Sequence, residues 1–327
     1  MKYRAISLFA GVGGLDLGFE QTGKFETVWA NEFDEKAALT YRSNFNNTLS
    51  TLDIHEVDKE KLPKVNIVLS GFPCQAFSVA GYRLGFEDER GDLFFETLKV
   101  INAVEPEVVF LENVKNLVGH DSGKTFRIIY DALEQHGYHI KYQTLNAKDY
   151  GDVPQNRERI YIVGFKNKRV YEKFDFPKPT ELKKKLSDVI DFDNQLDERY
   201  YYTSGKQSFY DLLERDIVSQ NTLYQWRRQY VRENKSNVSP TLTANMGTGG
   251  HNVPLILSNH GIRKLTPREC FNLQGFPSEY KLPDVAISHL YKQAGNSVVV
   301  PVIKRIAKKI SIALEKASEV EPIQLEI

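Results

Sequence analysis

The sequence predicts an α/β fold: a mostly parallel sheet with helices on both faces, interrupted late by a smaller, irregular insert. Three observations carry this expectation. Apolar runs of strand length alternate with stretches of helix length up to residue 176. A glycine-rich turn joins the first apolar run to the first helix. After Phe176-Pro177-Lys178-Pro179 the alternation stops, and residues 181–262 are polar, rich in Tyr, Asn, Ser and Gly, and without clear periodicity.

Each element follows from its local pattern. Residues 5–9 read as a buried strand, and a helix over 13–21 starts after the glycines. A strand over 27–30 and a helix from 34 to about 45 repeat the unit. The run 65–69 is the next strand, followed by a loop, a helix over 93–103 and a strand over 108–111. A helix over 125–136 precedes strands near 140–145 and 160–165. Such a succession favours parallel pairing through crossover helices. Residues 301–316 form an amphipathic helix with Val302, Ile306, Ile310 and Ala313 on one stripe. No internal repeat is visible.

The chain has 327 residues, enough for one large domain or two, with 41% hydrophobic and 26% charged content, ordinary for a globular protein. Its two cysteines, Cys74 and Cys270, supply neither a disulfide framework nor zinc spacing, so a reducing, cytoplasmic setting and no metal are expected. The apolar start at 5–9 loosely imitates a leader peptide, but it lacks a cleavage site and soon meets Asp16. No run approaches the roughly 18 apolar residues of a membrane span. A net charge of zero hides an asymmetry: residues 1–60 hold six Lys/Arg against ten Asp/Glu, whereas residues 141–185 hold twelve against six. The stretch Trp226-Arg227-Arg228-Gln229-Tyr230-Val231-Arg232 interleaves cations with aromatics. That pattern permits a polyanion partner, although solvated helix faces often look the same.

Chemistry concentrates at strand ends. Phe9-Ala10-Gly11-Val12-Gly13-Gly14 lies between the first strand and helix, where glycines bring backbone N–H groups close to a ligand. Glu32 follows at the end of the second strand, placed to hold ribose hydroxyls, with Phe33 beside it. Asp53-Ile54 offers an acceptor and an apolar wall for an adenine. NAD, FAD and S-adenosylmethionine all suit such a loop. Gly71-Phe72-Pro73-Cys74-Gln75 puts a thiol behind a proline after the strand 65–69, arranged for chemistry more than for packing. Glu112 directly follows the strand 108–111, at another carboxyl end, where a half-dry acid would have a raised pKa. Arg157 and Arg159 alternate in an extended segment and would point the same way, suited to phosphate, carbonyl or carboxylate. Cys270 sits in a helix-like stretch and reads as core.

Together these clues resemble a family. Phe-Ala-Gly-x-Gly-Gly at 9–14, Asn31-Glu32, residues 71–75, Glu112-Asn113-Val114, Gln155-x-Arg157-x-Arg159, the run 263–269 and Gly295-Asn296-Ser297-Val298 occur in order. The chain resembles the cytosine-C5 DNA methyltransferases, closely matching the compact bacterial enzymes of type II restriction–modification systems. The resemblance covers residues 4–180 and 261–311, and Thr241-Leu242 ahead of Met246-Gly247-Thr248-Gly249-Gly250 looks like a further family signature.

The resemblance implies a Rossmann-like S-adenosylmethionine-dependent sheet formed by residues 1–180 plus 284–327, with 181–283 inserted as a target-recognition domain. Cys74 would attack C6 of a cytosine flipped out of duplex DNA, so that C5 can accept a methyl group. Glu112 would meet N3 and the exocyclic amine, Arg159 the ring O2, and Arg157 a phosphate or loop. The donor pocket would comprise Phe9, Gly11, Gly13, Gly14, Glu32, Phe33, Asp53, Ile54, Pro73, Leu93, Asn296 and Ser297, releasing S-adenosylhomocysteine as product. DNA would be met by Gln75, Ser78 and Arg83 in a lid with glycines at 81, 85 and 91. It would also be met by Arg227, Arg228, Arg232, Thr241, Leu242, Gly249 and Gly250, with Asn245 and His251 as further base-reading candidates. The implied setting is the bacterial cytoplasm and nucleoid, with a monomer on double-stranded DNA, no membrane, and a cognate restriction endonuclease acting separately. A nicotinamide or flavin oxidoreductase would use the same glycine loop but leaves Cys74, Glu112 and 155–159 without a role. The cysteine-phenylalanine-threonine signature of transfer-RNA methylating relatives is absent, since Phe271-Asn272 follows Cys270. A non-catalytic DNA-binding regulator would not need both Cys74 and Glu112.

Overall fold

The computed structural model describes residues 2–73, 93–248 and 252–319. Among these, seven strands form one sheet: β1 (Tyr3–Leu8), β2 (Phe25–Asn31), β3 (Thr48–Ser50), β4 (Ile67–Ser70), β5 (Val108–Val114), β6 (His139–Asn146) and β7 (Glu158–Phe165). Their spatial order is β3-β2-β1-β4-β5-β7-β6. Pairing is parallel throughout except at β7, which runs antiparallel to both β5 and β6. The short link between β6 and β7, including the single-turn helix α5 (Ala147–Tyr150), is too brief for a parallel crossover, so the chain turns back instead.

Helices cover both faces because strand residues alternate sides. Ala5, Leu69, Val108, Phe110 and Val163 face α1 (Gly14–Glu20) and α10 (Val300–Ser318). Ile6, Leu8, Val68, Val109, Leu111 and Ile162 face α3 (Leu93–Val104) and α4 (Lys124–Gln135). The stripe Val302, Ile306, Ile310 and Ala313 of α10 is buried as its spacing predicts, packing the last helix against α1 and α6 (Lys168–Lys173). Between α1 and β4 lies α2 (Glu35–Arg42), whose N-cap Asp34 accepts from the N–H groups of Lys36 and Ala37.

Two expectations are corrected. The fifth strand runs to Val114, so Glu112 lies inside β5 and not after it; pairing with β7 sustains the strand through its polar end. The region 181–262 is also less irregular than its sequence. It holds α7 (Tyr210–Asp216) and an antiparallel sheet of β8 (Tyr224–Trp226), β9 (Val231–Glu233), β10 (Leu255–Ser258) and β11 (Gly261–Lys264), in the order β11-β10-β8-β9. Strands of three or four residues are too short for alternation to show in sequence. Helices α8 (Pro267–Asn272) and α9 (Ile287–Asn296) lead back to α10. Thr266 and Glu269 cap α8 reciprocally, with Pro267 in its first turn. Cys270 is fully buried in the cluster around Leu265, Phe271 and Ala294.

Candidate active site

Two groups of side chains meet at the carboxyl edge of the large sheet. The first is the turn between β1 and α1. Gly13 adopts φ 77° as the N-cap of α1, and a Cβ there would lie 2.2 Å from the Phe45 ring, so only glycine fits. Glu32 is buried beside this turn, accepting the Gly11 N–H at 2.8 Å on Oε2 and the Asp34 N–H at 2.8 Å on Oε1. Desolvation raises its pKa, and those two backbone bonds oppose the rise. Phe9 is held at φ 53°, and Phe33 stands 67% exposed next to Glu32. Ser297 arrives from the other end of the chain: a Cβ on Gly14 would lie 2.8 Å from its Oγ. That hydroxyl is buried with no partner among the described residues, whereas the neighbouring Asn296 is exposed. Beyond β3, Ile54 is buried in the cluster that contains Phe72, with Leu93 packed against it. Asp53 Oδ1 accepts the His55 N–H at 2.9 Å and meets His55 Nδ1 at 2.5 Å; these bonds hold its pKa down.

The second group surrounds Glu112. In the β5–β7 register Glu112 faces Tyr161 and Val114 faces Arg159, which puts Glu112 and Arg159 diagonally on one face. Arg159 Nε lies 3.2 Å from Glu112 Oε1. Burial raises the Glu112 pKa, with Arg159 and then Arg157 pulling it back. The turn that leads to Cys74 runs alongside: a Cβ on Gly71 would come 3.8 Å from Glu112 Oε2. Asn113 Nδ2 donates to the Phe72 carbonyl at 2.8 Å and ties that turn to β5. Pro73 is exposed at its end. Cys74, Gln75, Ser78 and Arg83, the glycines at 81, 85 and 91, and Gly249, Gly250 and His251 lie outside the described residues.

The arginine pair is split. Arg157 precedes β7, where strand alternation does not apply, and its guanidinium turns inward. It donates to the carbonyl of Leu242 at 2.7 Å, of Gly295 at 3.1 Å, and of Ser297. Its donors therefore grip backbone, not a phosphate, and only its charge is felt at Glu112. Leu242 is likewise buried, so its side chain is not at the surface where the sequence expectation of a DNA contact needs it. Thr241 Oγ1 is bound to the Asn156 carbonyl at 2.6 Å. Arg227, Arg228 and Arg232 do project, from the β8–β9 hairpin, where the Arg227 N–H closes the turn onto the Tyr230 carbonyl.

Some structural partners of the site carried no strong signal. Gln274, fully buried, donates to the Ala294 carbonyl and accepts from Gln155, yet nothing in its neighbourhood marks it. Asp16 is fully buried and accepts from Ser7 Oγ at 2.9 Å and Tyr41 OH at 2.8 Å, locking β1, α1 and α2 beneath the glycine turn. In sequence it looks like an ordinary first-turn acid.

A glycine turn with a buried carboxylate, and a second buried carboxylate beside an arginine and the turn at 71–73, bring two chemically distinct groups to one sheet edge, as ligand-binding α/β enzymes do. The pattern of the C-5 cytosine-specific DNA methylases spans residues 3–312, and the chain belongs to that family; it is a DNA (cytosine-5) methyltransferase. It is 67% identical over 305 residues to the type II methyltransferase M.Bsp6I of Bacillus sp. (strain RFL6), covering 93% of this chain and 97% of that one. To M.SsoII of Shigella sonnei it is 41% identical, covering 96% and 81%. The solved structure of a Spodoptera frugiperda DNMT2 mutant superposes with a TM-score of 0.73 at 19% identity, over 95% of this chain and all of that one, a likeness of fold. Among the described residues no helix is long and apolar enough to cross a membrane, and no group of His, Cys, Asp and Glu could hold a metal ion.

Proposed function

We propose that this chain methylates C5 of a cytosine within a short duplex DNA sequence, using S-adenosylmethionine as donor, a flipped-out base, and a covalent bond between Cys74 and C6. The observation that carries this reading is the buried Glu112, flanked by Arg159 and set beside the turn at 71–73. The residues present fit the donor. Ser297 Oγ is an orphaned buried hydroxyl next to Gly14, where a Cβ would crowd it at 2.8 Å, and Glu32 keeps lone pairs for ribose hydroxyls at the glycine turn. Phe9, Gly11, Gly13, Gly14, Glu32, Phe33, Asp53, Ile54, Pro73, Leu93, Asn296 and Ser297 would hold it; bound there, it supplies an electrophilic methyl group.

Cytosine C5 is a poor nucleophile on its own. The Cys74 thiolate adds to C6, which makes C5 electron-rich, while Glu112 donates its proton to N3 and takes up the developing charge. Arg159 holds the ring O2. Removal of the C5 proton by a base or water then lets Cys74 leave. A free thiol, with a pKa of about 8.5, is only a few per cent ionised at pH 7, so the site must favour the thiolate.

Residues 1–180 with 284–327 would form the catalytic domain and 181–283 the target-recognition domain, with Arg227, Arg228 and Arg232 meeting DNA from the hairpin. Arginine to guanine is the generic pairing that such side chains use. The type II names of the relatives support a separate cognate endonuclease, and a cytoplasmic monomer on DNA fits the reading.

Bisulfite sequencing of DNA from cells expressing the protein should reveal methylcytosine at one short motif. Duplex carrying 5-fluorocytosine at that position should become trapped on the wild type and not on Cys74→Ser. Methylcytosine made at full rate by Cys74→Ser would end the covalent mechanism.

A further inference from the structure

The segment proposed to read DNA and the turn proposed to hold the donor are tied to one another by buried polar side chains, not merely by packing. Gln155, Arg157 and Gln274 are 0%, 3% and 0% exposed. Gln155 Oε1 accepts the Leu242 N–H at 3.1 Å, and its Nε2 donates to the Leu273 carbonyl at 2.6 Å and to Gln274 Oε1 at 3.2 Å. Gln274 in turn donates to the Ala294 carbonyl at 2.6 Å and accepts the Val300 N–H at 2.9 Å on its own carbonyl. Arg157 completes the link, reaching the Leu242 carbonyl with Nη1 and the Gly295 and Ser297 carbonyls with Nη2. The two backbones also touch: a Cβ on Gly295 would lie 2.1 Å from the Thr243 carbonyl carbon.

We infer that Arg157 is a positioning residue that couples donor binding to the order of the recognition segment 239–248, acting through the carbonyls of Leu242, Gly295 and Ser297. This rests on the donor site proposed above. Among the described residues Arg157 has no carboxylate within ion-pair distance; its Nη donors are held by backbone carbonyls, its Nε has no hydrogen-bond partner, and Glu112 acts on its charge only from farther off. Displacing either side leaves a buried cation underbonded, so the ordered states of both sides favour each other. The planar fork is what makes this possible, because it sends donors in two fixed directions. A lysine ammonium is a point charge and cannot hold both sides in the same way.

Amide hydrogen exchange of the full chain, with and without saturating S-adenosylhomocysteine, tests this. In the wild type, exchange should slow locally at residues 9–20 and also remotely at the Leu242 and Met246 amides, the remote effect being about fivefold or more. Arg157→Lys should keep the local effect and lose the remote one. Thr241→Val, which removes only the hydroxyl bond to Asn156, should weaken the remote effect and decides the matter if Arg157→Lys does not melt as a folded protein. Local protection without remote protection in the wild type overturns the coupling. Remote protection that persists in folded Arg157→Lys removes the arginine from it, and remote protection unaltered in Thr241→Val, if only that variant folds, overturns coupling through the contact of residues 155–157 with the segment 239–248. No protection at either place rejects the donor site, and the inference falls with it.

Discussion

The two sheets differ in the apolar core that each has to itself. The large sheet lies between two extensive apolar clusters, and its strands are buried on both faces. The small sheet packs on a cluster of five buried residues, Leu213, Ile217, Tyr224, Leu255 and Ile262. Its surroundings join the rest through a third apolar cluster, in which Leu223, Ile256 and Leu265 pack with Ala10, Tyr41 and Phe45. Within those surroundings a polar clasp is buried: Arg263 meets Glu269 with both guanidinium ends, at 2.9 and 2.7 Å, and Glu269 also accepts from the Asp191 and Thr266 N–H groups. The contrast is one of what is buried. The core around the large sheet is apolar and its edge desolvates Glu112, which raises the pKa of that carboxyl, whereas the smaller sheet's neighbourhood buries a paired guanidinium and carboxylate.

Removing the acid should give the largest effect on the catalytic side. Glu112→Gln should lower kcat/KM by about 10²–10⁴-fold, the usual contribution of a general acid. In the fold burial raises the Glu112 pKa above 4.5, so the carboxyl keeps its proton to a higher pH than a free glutamate does. Its contribution to stability is therefore complete below 4.5 and is lost as pH rises through the folded value. Thermal melts over a range of pH should accordingly show the wild type losing stability relative to Glu112→Gln as the pH rises. In the pH–rate profile, the alkaline fall that reports loss of this proton should vanish in the variant. A variant that keeps the wild-type rate would separate the carboxylate from the chemistry.

Glu269→Ala tests the polar side. It leaves Arg263, which is fully buried, without its carboxylate and should cost about 3–5 kcal/mol in urea unfolding. The comparison sharpens if amide exchange then accelerates across 190–265 while the β1, β4 and β5 amides stay protected. Uniform acceleration would mean that the two sheets share one stability.

Gly295→Ala presses a methyl group into the 243–244 backbone and should cost about 1–3 kcal/mol, the range for overpacking, with weaker S-adenosylhomocysteine binding by calorimetry. Lys24→Ala, which removes an exposed ion pair to Glu315 far from either joint, should leave the melting temperature unchanged.

Most of the order of strands and helices, though not the three-residue β3, was legible in the sequence, as were the glycine turn and the place of Glu32 beside it; Glu112 was expected just after a strand and lies within one. The legible features depend on residues close together in the chain, whose periodicity or backbone freedom acts locally. The small strands β8 to β11 were not legible, because three or four residues give alternation no room to show. The tertiary structure alone decided the fate of two arginines separated by one residue. Arg159 falls on β7 and meets Glu112 across the strand pair, whereas Arg157 falls just before it and turns toward Leu242, Gly295 and Ser297. Those partners lie 85 to 140 positions away. No local pattern encodes such contacts, since they exist only once the chain's last helices return to its first sheet.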